Sequence, residues 1–157
     1  MNVQKILFPT DFSVVAEHAF QYAVAMAHDS KGELIILHVV EPGSMYSSSD
    51  KYFYTEDNPN NEQIGRQLEA IVPHATVRFR HVLVVGSPAE KILELADSEH
   101  ADLIVLGTHG WTGLQHLLMG SVAETIVRRA PCPVMTVKAY QTTAARAGGV
   151  NSGQAAS

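Results

Sequence analysis

The chain has 157 residues, 46% hydrophobic and 17% charged, which is typical of one compact globular domain. Its net charge of −5, without any basic block, argues against nucleic acid or an anionic membrane as the main partner. A single cysteine, Cys132, excludes an internal disulfide framework, and no apolar run approaches membrane-spanning length. The first residues lead into a strand pattern rather than a signal peptide. We therefore expect a cytoplasmic protein with a single domain over residues 1–139.

The first part of the chain predicts two strands separated by a helix. Residues 3–8 form a short apolar run, followed by Thr10 and Asp11, either of which could cap a helix. Apolar residues then recur every three or four positions, as in an amphipathic helix, until Gly32 ends the pattern. The nearly continuous apolar run Glu33–Val40 predicts a strand buried on both faces, as in the middle of a parallel sheet.

The middle of the chain predicts a helix, an edge strand and another helix. Residues 41–61 are polar, and a connection of this length tends to be functional or disordered. A weak helical pattern follows over residues 61–72, and residues 77–85 alternate as in an edge strand with one wetter face. Ser87-Pro88-Ala89-Glu90 has the spacing of a capping box, with proline at the first helical position.

The last part predicts a strand over residues 101–106, a helix at Ser121–Arg129 and a final strand over residues 134–138. Residues 140–157 are small and polar, which predicts a disordered tail. Alternating strands and helices favour an α/β fold, a doubly wound five-stranded parallel sheet with helices on both faces. Ligands of such sheets bind beyond the carboxyl ends of the strands. If the first and fourth strands are neighbours, Thr10 and Asp11 share one crevice with the loop after the fourth strand.

That loop has the chemistry of a phosphate site. Gly107 and Gly110 follow the fourth strand, and Gly120 and Ser121 precede the last helix. Glycine amides without a neighbouring Cβ and the positive end of a helix dipole suit an oxyanion. Alternatively, the glycines serve only as turns, and Ser121 opens a capping box with Glu124.

Four segments together resemble the universal stress protein family. They are K-I-L-F-P-T-D-F-S near the start, L-H-V in the second strand, V-x-G-S-P before the third helix and G-T-H-G-W-T-G-L-Q-H-L-L-M-G-S-V-A-E near the end. The nucleotide-binding branch of this family carries G-x2-G-x9-G-S/T. Gly107, Gly110, Gly120 and Ser121 match that pattern, and the resemblance extends over residues 3–138.

The resemblance implies an ATP- or AMP-binding homodimer of the adenine nucleotide-binding α/β type, active in stress survival and signalling. Carried over residue by residue, it places the adenine near Asp11, Pro9, Thr10 and Val39, the ribose near Leu106 and Gly107, and the phosphates near Gly110, Gly120, Ser121 and Val122. His109, inside the loop, could donate to a phosphate or be an exposed loop residue. The implied dimer pairs the last strand, Val134, Met135, Thr136 and Val137, with its copy.

Three functions remain open at this point. The first is a nucleotide-dependent regulatory module that acts on a client protein the sequence does not identify. The second is a slow ATP hydrolase or nucleotidyl-transfer enzyme, with Asp11 or His109 as acid or base. The third is a structural interaction module. The chain has no G-x4-G-K-S/T and no histidine metal motif, so we assign no catalytic residue and no metal site, although Mg²⁺ could arrive with the nucleotide.

Overall fold

The computed structural model describes residues 3–42, 59–108 and 119–138. Strands and helices alternate along these ranges: β1 (Lys5–Pro9), α1 (Val14–Ser30), β2 (Glu33–Val40), α2 (Pro59–Glu69), β3 (Arg78–Val85), α3 (Pro88–Ser98), β4 (Leu103–Gly107), α4 (Ser121–Arg129) and β5 (Val134–Val137). Most of the polar segment 41–61, the loop residues His109 and Gly110, and the tail 140–157 lie outside the described residues. Across the described helices, none combines the length and hydrophobicity needed to cross a bilayer.

The five strands form one parallel sheet in the order β3-β2-β1-β4-β5. The expected contact between the first and fourth strands is confirmed, because Ile6 pairs with Leu103 and Leu7 pairs with Ile104. β1 therefore lies at the centre, where the strand order reverses. This reversal brings the carboxyl ends of β1, β2 and β4 together and leaves β3 and β5 at the two edges.

Each face of the sheet carries its own hydrophobic core. Alternate strand residues, including Ile6, Phe8 and Ile36, pack against α1 and, through Leu68, against α2. The intervening residues, including Leu7, Ile35 and Ile104, pack against α3 and α4 on the other face. The doubly wound α/β fold with helices on both faces is thereby confirmed.

The start of α1 differs from the prediction that Thr10 or Asp11 caps it. The N-cap is Ser13, whose Oγ accepts from the amide of Ala16 at 3.2 Å. Thr10 and Asp11 instead bond two residues along the chain, because Thr10 Oγ1 accepts from Phe12 N and Asp11 Oδ1 from Ser13 N, each at 3.0 Å. They shape the loop before the helix rather than the helix itself.

Two other helix starts also differ from the sequence patterns. α2 begins at Pro59 rather than residue 61, which agrees with the preference of proline for the first turn, and it ends at Glu69 rather than residue 72. Ser87 is the N-cap of α3, but its side chain makes no capping bond. Its capping-box partner Glu90 binds Arg129 of α4 at 2.6 Å instead.

The edge position predicted for residues 77–85 is confirmed by β3, but its exposed side chains include two apolar ones beside Arg78. Phe79 and Leu83 are each 38% exposed on the face that α2 covers. On the other face, Val82 and Val84 pack into the core with α3 and α4. Within the described residues, the short α2 covers only part of this face of β3, which alternation alone does not reveal.

Candidate functional site

A cleft of about 710 Å³ opens at the carboxyl ends of β1, β2 and β4. Nine of the residues singled out from the sequence line it: Pro9, Thr10, Asp11, Val39, Leu106, Gly107, Gly120, Ser121 and Val122. The other two, His109 and Gly110, lie outside the described residues. The topology thus brings together segments more than 90 positions apart in the sequence.

One wall of the cleft is the loop between β1 and α1, anchored by its own polar groups. The amide of Thr10 donates to Leu37 O on β2 at 2.8 Å, and Thr10 is only 7% exposed. The bonds from Phe12 N to Thr10 and from Ser13 N to Asp11 fix the next turn. Asp11 is consequently held at the rim of the cleft by a rigid backbone.

The same loop contains a strained residue that rests on a histidine. Phe12 has φ of 63°, a left-handed conformation that bulky side chains rarely adopt. Its ring lies 4.3 Å from the ring of His38, at an interplanar angle of 33°. His38 Nδ1 also lies 2.8 Å from the carbonyl oxygen of Thr10, which can only accept, so Nδ1 donates the proton. Burial lowers the pKa of His38 below 6.5, against the smaller opposing effects of this bond and of Asp11.

The opposite wall is the N-terminus of α4. Gly120 is its N-cap, with φ of −71° and ψ of 157°, and it has no side chain with which to cap the helix. The amide of Gly120 donates to Thr108 O at 2.7 Å, and the amide of Thr108 donates to Val137 O at 2.9 Å. These bonds tie α4 to the end of β4. The Gly120 amide is therefore already bonded within the protein, and the amides that can face a ligand begin at Ser121 in the first turn.

The capping box that Ser121 was predicted to open does not form. Because Gly120 is the N-cap, Ser121 occupies the first helical position and its hydroxyl is one residue too late to cap. The carboxylate of Glu124 pairs with Arg128 at 2.9 Å, one turn along the helix. This leaves the helix start to main-chain groups, with Ser121 and Val122 lining the cleft.

Gly107 lines the cleft, but its lack of a side chain serves packing. A Cβ at this position would lie 2.9 Å from Cγ1 and 3.2 Å from the carbonyl carbon of Val15. Neither Gly107 nor Gly120 has positive φ, so neither is required by an unusual turn. The close approach of α1 to β4 is what requires glycine at 107.

The charges of the cleft are unevenly distributed. Asp11 and Glu41 place carboxylates at its β1–β2 side, whereas α4 presents the positive end of its dipole at the β4 side. The lining residues within the described ranges include no lysine or arginine. The volume of the cleft is within the usual range for small-molecule sites. Because of its charges, the cleft suits a ligand with hydrogen-bond donors at one end and an anionic group at the other.

The cleft includes lining residues that were not predicted from the sequence. His38 interrupts an apolar strand, a local signal that could have been used, and Pro88 belongs to the G-S-P motif. Glu41 directly follows β2, and Ile64 lies on α2, which packs against the sheet at β3. That placement is a tertiary effect with no local sequence signal.

The described residues contain no cluster of three or more histidine, cysteine or carboxylate side chains suited to a metal ion. Cys132 is half-buried, and this burial raises the pKa of its thiol, which keeps it protonated near neutral pH. A packed, protonated thiol is a poor nucleophile.

Comparison with known proteins places this geometry in a family. The model of the universal stress protein family matches residues 2–138. Universal stress protein MJ0577 of Methanocaldococcus jannaschii is 31% identical, and the alignment covers 86% of this chain and 94% of that protein. Universal stress protein MJ0531 of the same organism is 32% identical over 86% of this chain and 82% of its own length.

Solved structures agree with this assignment. The structure of MJ0577 superposes with a TM-score of 0.79 and 32% identity, covering 90% of this chain and all of that one. A universal stress protein solved in complex with cAMP superposes with a TM-score of 0.62 and 27% identity, covering 88% of this chain and 98% of that one. On both sequence and structure, the chain belongs to the universal stress protein family.

Proposed function

We propose that this protein binds ATP or AMP in the cleft and acts as a nucleotide-dependent regulatory module of the stress response in the cytoplasm. The observation that carries the proposal is the convergence of the Asp11 loop and the α4 N-terminus on one cleft of nucleotide size. The relative solved with cAMP, also an adenine nucleotide, supports the ligand class.

The two ends of the cleft orient the proposed ligand. The carboxylate of Asp11 accepts hydrogen bonds and repels phosphate, so it belongs with the base or the ribose. The first-turn amides at Ser121 and Val122 carry the positive end of the helix dipole, so the phosphates belong there. Mg²⁺ would then be held by phosphate oxygens and water rather than by a dedicated protein site.

Thermal unfolding with a nucleotide panel tests the ligand class. A ligand at a hundred times its Kd stabilises the folded state by about 2.7 kcal/mol, which is readily seen as a rise in Tm. We expect ATP, AMP and cAMP to raise Tm and GTP to do so much less at the same concentration. Equal shifts with GTP, or no shift with adenine nucleotides at millimolar concentration, would contradict the proposal.

The alternative of a slow ATP hydrolase requires its own test. Phosphoryl transfer is accelerated mainly by cationic groups that stabilise charge on the transferred phosphoryl group. Purified protein incubated with ATP should return intact ATP if it only binds the nucleotide. ADP production above background that disappears in Asp11→Ala would favour the hydrolase instead.

We further propose that the protein is a homodimer that pairs β5 with its copy. β5 is an edge strand of the described sheet, and its first three residues, Val134, Met135 and Thr136, are only partly buried in the single chain. An edge with unpaired backbone groups is a template for pairing with a second strand.

A further inference from the structure

The His38 side chain links three parts of the candidate site. It lines the cleft, its Nδ1 donates to the carbonyl of Thr10, and its ring stacks on Phe12. Thr10 and Phe12 flank Asp11 in the chain, so His38 braces the backbone on both sides of that carboxylate.

The contacts of His38 compensate backbone strain at Phe12. A phenylalanine with φ of 63° persists only where surrounding contacts compensate the strain. Phe12 packs against the α1-side core and stacks on His38, and its amide bonds to Thr10. Removing the imidazole would take away the stacking partner and leave the Thr10 carbonyl without this donor.

We propose that His38 is a positioning residue of the ligand site. Its Nδ1–H and its ring hold the loop from Pro9 to Ser13 in its binding shape, and a base bound in the cleft covers the ring and disfavours the imidazolium, so that acidification weakens ligand binding. The proposal rests on the proposed function for its ligand, but the coupling between His38 and the loop is a property of the ligand-free protein and can be measured without any nucleotide.

The sign of the pH effect follows from the surroundings of His38. Burial, which disfavours the imidazolium, is larger than the attraction of Asp11, so the pKa of His38 lies below 6.5. A base entering the cleft removes more water from the ring and favours the neutral form further. Binding therefore weakens as the pH falls through the pKa of His38 in the ligand-free protein, by up to about tenfold per pH unit.

Other ionisable groups lie on the elements around His38. The Asp11 carboxylate is the neighbouring charge that raises the pKa of His38, although burial lowers it by more. On α2, Glu62 and Arg66 pair with each other at 3.4 Å and are more than two-thirds exposed. The remaining ionisable side chains on the neighbouring segments of this face are Glu17, His18, Glu41, Glu69 and His81.

His81 provides a matched control. It is another half-buried histidine and lies on β3. Its Nε2 lies 2.8 Å from the carbonyl oxygen of Ile71, and its ring centroid lies 5.5 Å from that of Phe79. It does not line the cleft. The surroundings of His81 therefore resemble those of His38, but His81 lies outside the cleft.

The first experiment follows backbone amides of the ligand-free protein by NMR as the pH is lowered. We expect the Asp11 and Phe12 amides to shift with the same midpoint as the His38 ring signals, below 6.5, in wild type and in His81→Gln. In His38→Asn, whose amide nitrogen can replace Nδ1 as donor but does not titrate, that transition should vanish. An unchanged transition in His38→Asn, or none in wild type, would overturn the proposal.

The second experiment measures the affinity for adenosine, which has no phosphate to titrate. Near pH 7.5, we expect His38→Asn to bind within about threefold of wild type and His38→Phe, which keeps a ring but loses the donor, about tenfold or more weakly. Only wild type and His81→Gln should lose affinity on acidification.

Wild-type affinity in His38→Phe would refute the positioning role. Absence of ATP binding in wild type would refute the proposed function and leave the NMR result to decide this inference.

Discussion

At the scale of single residues, the site is organised by small local contacts whose purpose is not always ligand binding. Gly107 illustrates this. It lines the cleft, but a side chain is excluded there because it would clash with Val15 on α1. The side chains of Thr10 and Asp11 likewise accept hydrogen bonds from backbone amides of their own loop. The shape of the cleft thus depends on packing between β4, α1 and the loop before it.

Gly107→Ala should destabilise the fold. The new methyl group would meet the backbone of Val15 at 3.2 Å, which cannot yield without moving α1, and overpacking of this kind costs about 1–3 kcal/mol. Urea unfolding measures the loss. Gly65→Ala is the control, because nothing lies within 4 Å of its Cβ position in α2, and it should stabilise by about 0.5–1 kcal/mol. Equal stability of the two variants would contradict this explanation.

At the scale of elements, an ion-pair network joins β1, β2 and β3 to the end of α3, at the amino ends of the strands. Arg80 bonds to Glu33 at 3.1 Å and to Glu99 at 2.7 Å, and Lys5 bonds to Glu99 at 3.1 Å. The hydrogen bonds from Arg80 and Lys5 lower the pKa of Glu99 below 4.5. The network lies at the opposite end of the sheet from the cleft.

This network makes stability depend on acid. A carboxylate with a lowered folded-state pKa stabilises the fold above its unfolded pKa of 4.5, and the contribution is lost as the pH falls through the folded value. Glu99→Gln should therefore be less stable than wild type at pH 7, and the difference should shrink as both are acidified below 4.5. Urea midpoints across this range provide the measurement. Glu62→Gln, in an exposed pair, should change little; a similar response of both variants would argue against the network.

The elements also show where sequence patterns succeed and fail. Strands β1, β2 and β4 were predictable because continuous apolar runs are needed wherever both faces are buried. The helix starts were not predictable in the same way. Ser13 rather than Thr10 or Asp11 caps α1. Gly120 is the N-cap of α4 and is bonded to Thr108, and Glu90 of α3 pairs with Arg129 of α4 instead of closing a capping box. Ile64 joined the site only through tertiary placement, whereas His38 had a local signal because it interrupts an apolar strand.

At the scale of the whole molecule, the sheet order links the proposed site to the proposed dimer. β4 lies between them: it pairs with β5 along one side, and its end at Thr108 is bonded to both Val137 and Gly120. A change at the β5 edge and a change at the α4 N-terminus therefore meet at one residue. This provides a physical route between nucleotide and partner surface.

Thr136→Lys should convert the proposed dimer into a monomer. Two lysines brought close across paired edge strands would repel each other, and edge lysines block such pairing. Light scattering should give twice the 17.0 kDa chain mass for wild type and a single chain mass for the variant. Leu83→Lys, on the opposite edge strand β3, should remain dimeric. A monomeric wild type, or a dimer lost only in Leu83→Lys, would contradict assembly through β5.

Calorimetric titration with ATP, AMP and GTP, on wild type and Gly120→Val, tests the central claim most directly. The backbone at Gly120 suits any residue, so valine should leave the fold intact while its side chain fills the cleft beside Ser121. We predict one adenine nucleotide bound per wild-type chain, weaker binding of GTP, and loss of binding in a folded Gly120→Val. No binding of ATP or AMP to wild type at millimolar concentration, or unchanged binding in the variant, would contradict the account.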